Sequence, residues 1–112
     1  MTKIGDIADK VLGAGLDDWV MFDTLLYYAR EAAVDSPGAY KQTAIDTLEY
    51  LLKNHLVAVG DIGDTGFEPW PGSDQDVVRR VIEKAESLDW SPQGDLCWMS
   101  NTSAGDQRAS GV

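Results

Sequence analysis

Cysteine occurs once in the 112 residues, as Cys97, so no disulfide can form within the chain. The start, Met1-Thr2-Lys3-Ile4-Gly5-Asp6, meets acid too early for the apolar core of a signal peptide. Both features point to a reducing, cytoplasmic setting. Histidine is also single, and His55 has no metal-ligating neighbour at a known spacing. No apolar run nears the roughly 18 residues that a membrane span needs. Bases are scarce: nine Lys and Arg stand against nineteen Asp and Glu, a net charge of −10. A polyanion of this size is repelled by DNA phosphates and anionic lipid heads. The bases are scattered, and only Arg79 and Arg80 are adjacent. Nucleic acid and membrane are therefore disfavoured as partners.

Catalytic and cofactor motifs are missing too. Asp61-Ile62-Gly63-Asp64-Thr65-Gly66 invites a calcium reading, but an EF-hand starting at Asp61 needs an oxygen ligand at 63 and a bidentate Glu at 72, and both are Gly. Gly60, Gly63 and Gly66 do not have the dinucleotide spacing, and acids among them repel phosphate. Cys97 and His55 are the one thiol–imidazole pair available. Cys97, between Leu96 and Trp98, reads as a buried, inert thiol. The expectation is a protein without metal or cofactor, and not an enzyme.

What is present is mostly helical up to residue 54. Ile4, Ile7, Ala8, Val11 and Leu12 predict a helix over 3–13, stopped by Gly13 and Gly15. Asp17 and Asp18 favour a helix start before Trp19. Trp19, Phe22, Leu25, Leu26, Ala29 and Ala33 then share one face, with Val20, Met21, Tyr27 and Tyr28 on the flanks. Such a helix is expected at the centre of the core. Asp35-Ser36-Pro37-Gly38 breaks the chain, and the next helix is predicted to about Asn54, a residue that tolerates the left-handed conformation of helix ends.

Leu56–Val59 predicts a strand, and 60–72, with four glycines and two prolines, predicts a loop. Ser73 and Asp76 form a capping-box pattern for a helix over 74–88. Leu96–Ser100 is a second strand, and the tail is expected to fray beyond Gly105. That gives one domain over 1–105 with a flexible tail over 106–112.

Two patterns resemble the winged-helix superfamily. Leu51-Leu52-Lys53-Asn54-His55-Leu56-Val57 looks like a recognition helix running into the first wing strand. Trp98-Met99-Ser100-Asn101-Thr102-Ser103-Ala104-Gly105 is similar to the return strand followed by Thr-x-x-Gly. The resemblance covers about residues 18–105. It implies an α+β, winged-helix-like domain of three to four helices, with a small two-stranded antiparallel sheet and an extra helix inserted in the wing. It also implies a transcriptional regulator that sets Lys41, Gln42, Thr43 and Lys53 on DNA. The sequence departs from that role. The surface of the would-be recognition helix carries two bases, Lys41 and Lys53, against two acids, Asp46 and Glu49, and the wing is the most acidic part of the chain.

Asp61, Asp64, Glu68, Asp74 and Asp76 fall within sixteen residues that hold no base, and Phe67 and Trp70 sit among them. Two readings stand side by side. The aromatics fold back to cap the core over a solvated loop, or they are anchors rimmed by charge. The second reading makes Asp61, Asp64, Phe67, Glu68, Trp70, Asp74 and Asp76 a contact surface for a basic protein. A small acidic binding module of immunity or antitoxin type, set against a nuclease-like partner, is its concrete form.

Overall fold

The computed structural model describes residues 3–33 and 36–111. The first helix, α1 (Lys3–Ala14), follows its apolar spacing: Ile7, Ala8, Val11 and Leu12 are buried. The next segment departs from the periodicity. Asp18 does not start a helix; its carboxylate accepts the Trp19 N–H at 2.8 Å, and the chain runs on extended. Val20–Met21 form a short strand, β1, and only at Phe22 does α2 (Phe22–Ala32) begin. Trp19 therefore lies outside the helix and is 39% exposed, not a core residue.

A 3-10 turn over Pro37–Ala39 leads into α3 (Tyr40–Lys53), so the single helix expected from Ser36 is divided. Ala44, Ile45, Leu48, Leu51 and Leu52 bury the inner side of α3. Thr47 is buried with them, its hydroxyl donating to the Thr43 carbonyl at 2.8 Å. His55, not Asn54, takes the left-handed turn after the helix, with φ of 56°.

The Gly/Pro-rich stretch is a hairpin. Strands β2 (Val57–Gly63) and β3 (Gly66–Pro69) pair antiparallel, Ile62 opposite Phe67 and Asp61 opposite Glu68. Helix α4 (Asp74–Ser87) follows with its capping box in place. The Ser73 hydroxyl accepts the Asp76 N–H, and the Asp76 carboxylate accepts the Ser73 N–H, both at 3.2 Å. Strand β4 (Trp98–Asn101) then enters between β1 and β2. The sheet so described has four antiparallel strands in the order β1-β4-β2-β3, twice the number expected.

The tail does not fray after Gly105. It forms α5 (Ser103–Ser110), capped by Thr102, whose hydroxyl accepts the Gly105 N–H at 3.1 Å. Arg108 bonds Asp9 of α1 at 2.9 Å and the Tyr50 hydroxyl of α3, which ties this helix to the domain.

One α+β core results. Helices α1, α2 and α3 pack on one another. Val20, Val57, Val59 and Met99 cover them from one face of the sheet, and α4 closes the other flank of α3 with Val77, Val78, Val81 and Ala85. No described helix is long and apolar enough to cross a membrane.

Candidate functional site

Alternation along a strand sends neighbouring side chains to opposite faces. Val57 and Val59 of β2 point into the core, so Ala58, Gly60 and Ile62 belong to the outer face. By register, Trp98 and Ser100 of β4, Met21 of β1, and Phe67 and Pro69 of β3 share that face. Trp19, one residue before β1, continues it. Strands β1 and β3 are the two edges of the sheet, and in a flat sheet three spacings of roughly 4.8 Å would hold them about 14 Å apart. Yet the Trp19 and Phe67 ring centroids are 6.2 Å apart, inclined at 34°.

The two side chains reach toward each other across the outer face to make that contact. At Gly60 on this face a Cβ would meet the Glu68 carbonyl oxygen at 2.2 Å and the Pro69 Cα at 2.8 Å. Only glycine admits this close approach. With Ala58 and Ser100 also small, the two rings have room over the central strands.

The outer face is therefore apolar and open. Ile62 and Trp19 are each 39% exposed, Leu16 beside them is 43% exposed, and Phe67 and Trp98 are half-buried. Carboxylates border it. Asp17 and Asp18 line a cleft of about 340 Å³ with Leu16, Trp19 and Asp106. Asp95 lines a second cleft, of about 300 Å³, with Ile62 and Trp98. Asp64 stands at the hairpin tip, whereas Glu68, paired with Asp61, lies on the opposite face and folds over Gly63, where a Cβ would lie 2.1 Å from its carboxylate oxygen. Among the described residues, ion pairs join only Arg79 to Asp76 and Arg108 to Asp9. Among these residues no base pairs with Asp17, Asp18, Asp64 or Asp95.

The structure divides the seven expected contact residues. Asp64, Phe67 and Glu68 lie on the exposed hairpin. Trp70 does not: it is buried, with 8% exposure, and belongs to the core. Its Nε1 donates to the Asp61 carboxylate at 2.8 Å, and the Arg80 guanidinium lies 3.9 Å from its ring centroid. Asp61 is thus the hydrogen-bond partner of a core tryptophan, half-buried on the side away from Phe67. Asp76 caps α4 and pairs with Arg79 at 3.5 Å, and Asp74 stands in the first turn of that helix. Both serve the helix terminus.

The periodic reading missed Leu16, Asp17, Asp18, Trp19, Ile62 and Trp98. A signal for some of them was present. Asp17-Asp18-Trp19 repeats the pairing of acid and large aromatic seen at Phe67-Glu68.

The groove-reading set on α3 is not free. Lys41 lies over the Trp90 ring at 5.5 Å, and Gln42 donates to Asp46 at 2.8 Å. Lys53 shares a cleft with Glu49 of its own helix and Asp74 and Gln75 of α4. Helix α4 packs along α3 and brings acid to its basic end.

Burial pushes the Cys97 thiol up to about 12, so almost none is thiolate at neutral pH. Among the described residues no group of three or more His, Cys, Asp or Glu is placed to hold a metal ion. Comparison with protein-family models, with curated proteins and with solved structures returned no match.

Proposed function

We propose that this chain is a small acidic protein-binding module, not an enzyme, that occupies a basic partner in the manner of an immunity protein or antitoxin. One observation carries the reading: an exposed Trp19 against a half-buried Phe67 on an open sheet face, bordered by carboxylates that no base among the described residues pairs. Buried aromatics supply much of the binding energy at protein interfaces, and complementary charge steers the encounter. A cationic site that otherwise holds nucleic acid is the natural complement of such a face. Asp64 and Phe67 remain on this face from the expected contact set, with Leu16, Asp17, Asp18, Trp19, Ile62 and Asp95 added to it. The proposed setting is the cytoplasm.

The test is capture of the partner from native lysate with nuclease present, followed by affinity measurement on the purified pair. A basic protein whose affinity falls with salt, and falls again with Phe67→Ala or Asp17→Asn/Asp18→Asn, supports the reading. Affinity indifferent to salt and to these variants rejects it.

A second reading is favoured by the topology. The order α1-β1-α2-α3-β2, with β4 returning between β1 and β2, is compatible with a winged-helix-like domain carrying β3 and α4 as an insertion in the wing. On that reading α3 would dock on duplex DNA. The acids and α4 beside α3 oppose it, and absence of duplex binding at low salt would exclude it.

A further inference from the structure

The aromatic rings of this chain fall into two sets. Tyr28, Tyr40, Tyr50, Trp70 and Trp90 each carry a basic side chain of the same chain over the ring: Lys10, Arg30, Arg108, Arg80 and Lys41 respectively. Phe22 is fully buried. Tyr27 stands edge-on to Tyr28 and bonds Glu31. Besides Phe22 and Tyr27, the described rings without a cation are Trp19, Phe67 and Trp98, and all three lie on the outer sheet face. That same face is bordered by carboxylates lacking a base. Both shortages are of one chemical group.

We infer that the outer sheet face takes an arginine-bearing segment of the partner, with a guanidinium stacked on the Trp19–Phe67 pair and bonded to the bordering carboxylates. This rests on the basic-partner reading above and names the group recognised. Arginine suits the place better than lysine. Its planar cation stacks on aromatic faces, donates in a fork that matches a carboxylate, and is more weakly hydrated than an ammonium. The chain contains its own version of the contact. Arg80 stacks on Trp70 at 3.9 Å while the indole N–H binds the Asp61 carboxylate at 2.8 Å. At Trp19 the ring and the neighbouring acids Asp17 and Asp18 are present, and the cation must come from outside. A second copy of this chain is a poor occupant, because two such rims would repel.

Titration calorimetry of the intact protein with an arginine–glycine repeat peptide and a lysine–glycine repeat of equal charge tests the inference. The arginine peptide is expected to bind about fivefold tighter at low salt. Trp19→Leu keeps the apolar bulk, removes the π face, and should bring the two peptides to parity. Trp19→Phe should retain most of the preference. Equal affinities in the wild type, or a preference that survives Trp19→Leu, overturn the guanidinium assignment and leave the basic-partner reading standing. If neither peptide binds at low salt, both fall. Thermal melts of each variant confirm that it is folded.

Discussion

Beneath α4, Trp70 is buried, bonded to Asp61 and stacked under Arg80, whereas across the same hairpin Phe67 is half-buried against an exposed Trp19 with no cation near. Three residues apart, one within β3 and one just past its end, the two rings meet different fates because alternation and the turn into α4 send them to opposite sides of the sheet. On the covered side Asp61 and Arg80 both serve Trp70. On the open side, among the described residues, Trp19 and Phe67 carry no cation and Asp17, Asp18 and Asp64 form no ion pair. A face that the fold leaves unfinished, while finishing its neighbour with the same residue types, is where a partner is expected.

The contrast can be broken from either side. Trp70→Ala should cost most, about 3–5 kcal/mol of unfolding free energy, since it opens a cavity and strands the Asp61 carboxylate; denaturant melts measure it. Trp19→Ala, by the same measurement, should cost less, about 1–2 kcal/mol, because the residue is only partly covered and leaves no closed cavity. Gly60→Val comes next, at about 1–3 kcal/mol or more, since its Cβ has no space against Glu68 and Pro69. Loss of the Trp19–Phe67 contact should accompany it, read as an increase in solvent quenching of tryptophan fluorescence. Ser73→Ala should cost about 1 kcal/mol through the α4 cap, without touching the open face.

Smaller effects sharpen the comparison. Combined Asp17→Asn, Asp18→Asn and Asp64→Asn should raise Tm while weakening the basic partner. Repulsion among these acids outweighs the hydrogen bond that Asp18 accepts from the Trp19 N–H, so function and stability trade against each other here. The covered side gives a pH signature instead. Cys97 is raised to about 12 in the fold, against about 8.5 when unfolded. The folded state then holds the proton that the unfolded state releases. Its contribution is complete below about pH 8.5 and is lost as pH rises towards 12. Alkaline melts of the wild type should therefore fall more steeply than those of Cys97→Ala, and thiol reagents should react slowly with the native protein.

Local physics was legible in the residues. The Ser73–Asp76 box, the valine stripe of α4 and the apolar face of α1 each depend on neighbours within a few positions, and the structure has them as expected. Long-range pairing was not legible. Trp19, Phe22, Leu25 and Leu26 fit a helical face, and nothing nearby announces that Val20 pairs with Met99. That pairing turned Trp19 outward. The hairpin hid in a run of Gly and Pro because its alternation, Val57, Val59, then Ile62 and Phe67, switches faces as the strand leaves the core. Helix α5 was missed because its seat is made elsewhere: a Cβ at Gly105 would lie 2.1 Å from the Leu56 carbonyl oxygen, and Arg108 reaches back to Asp9. For the candidate surface, composition pointed to acid and aromatic together on the hairpin. Which ring faced outward depended on a strand register that only the fold supplies.

The most direct test is residue-by-residue mapping of amide chemical shifts, titrating the labelled protein with the arginine–glycine peptide and separately with duplex DNA. The account predicts peptide-induced shifts concentrated over residues 16–19, 62–68 and 95–98, with little change along α3 and none from DNA. Shifts centred on Lys41–Lys53 with DNA, and a silent outer sheet face with the peptide, would contradict it.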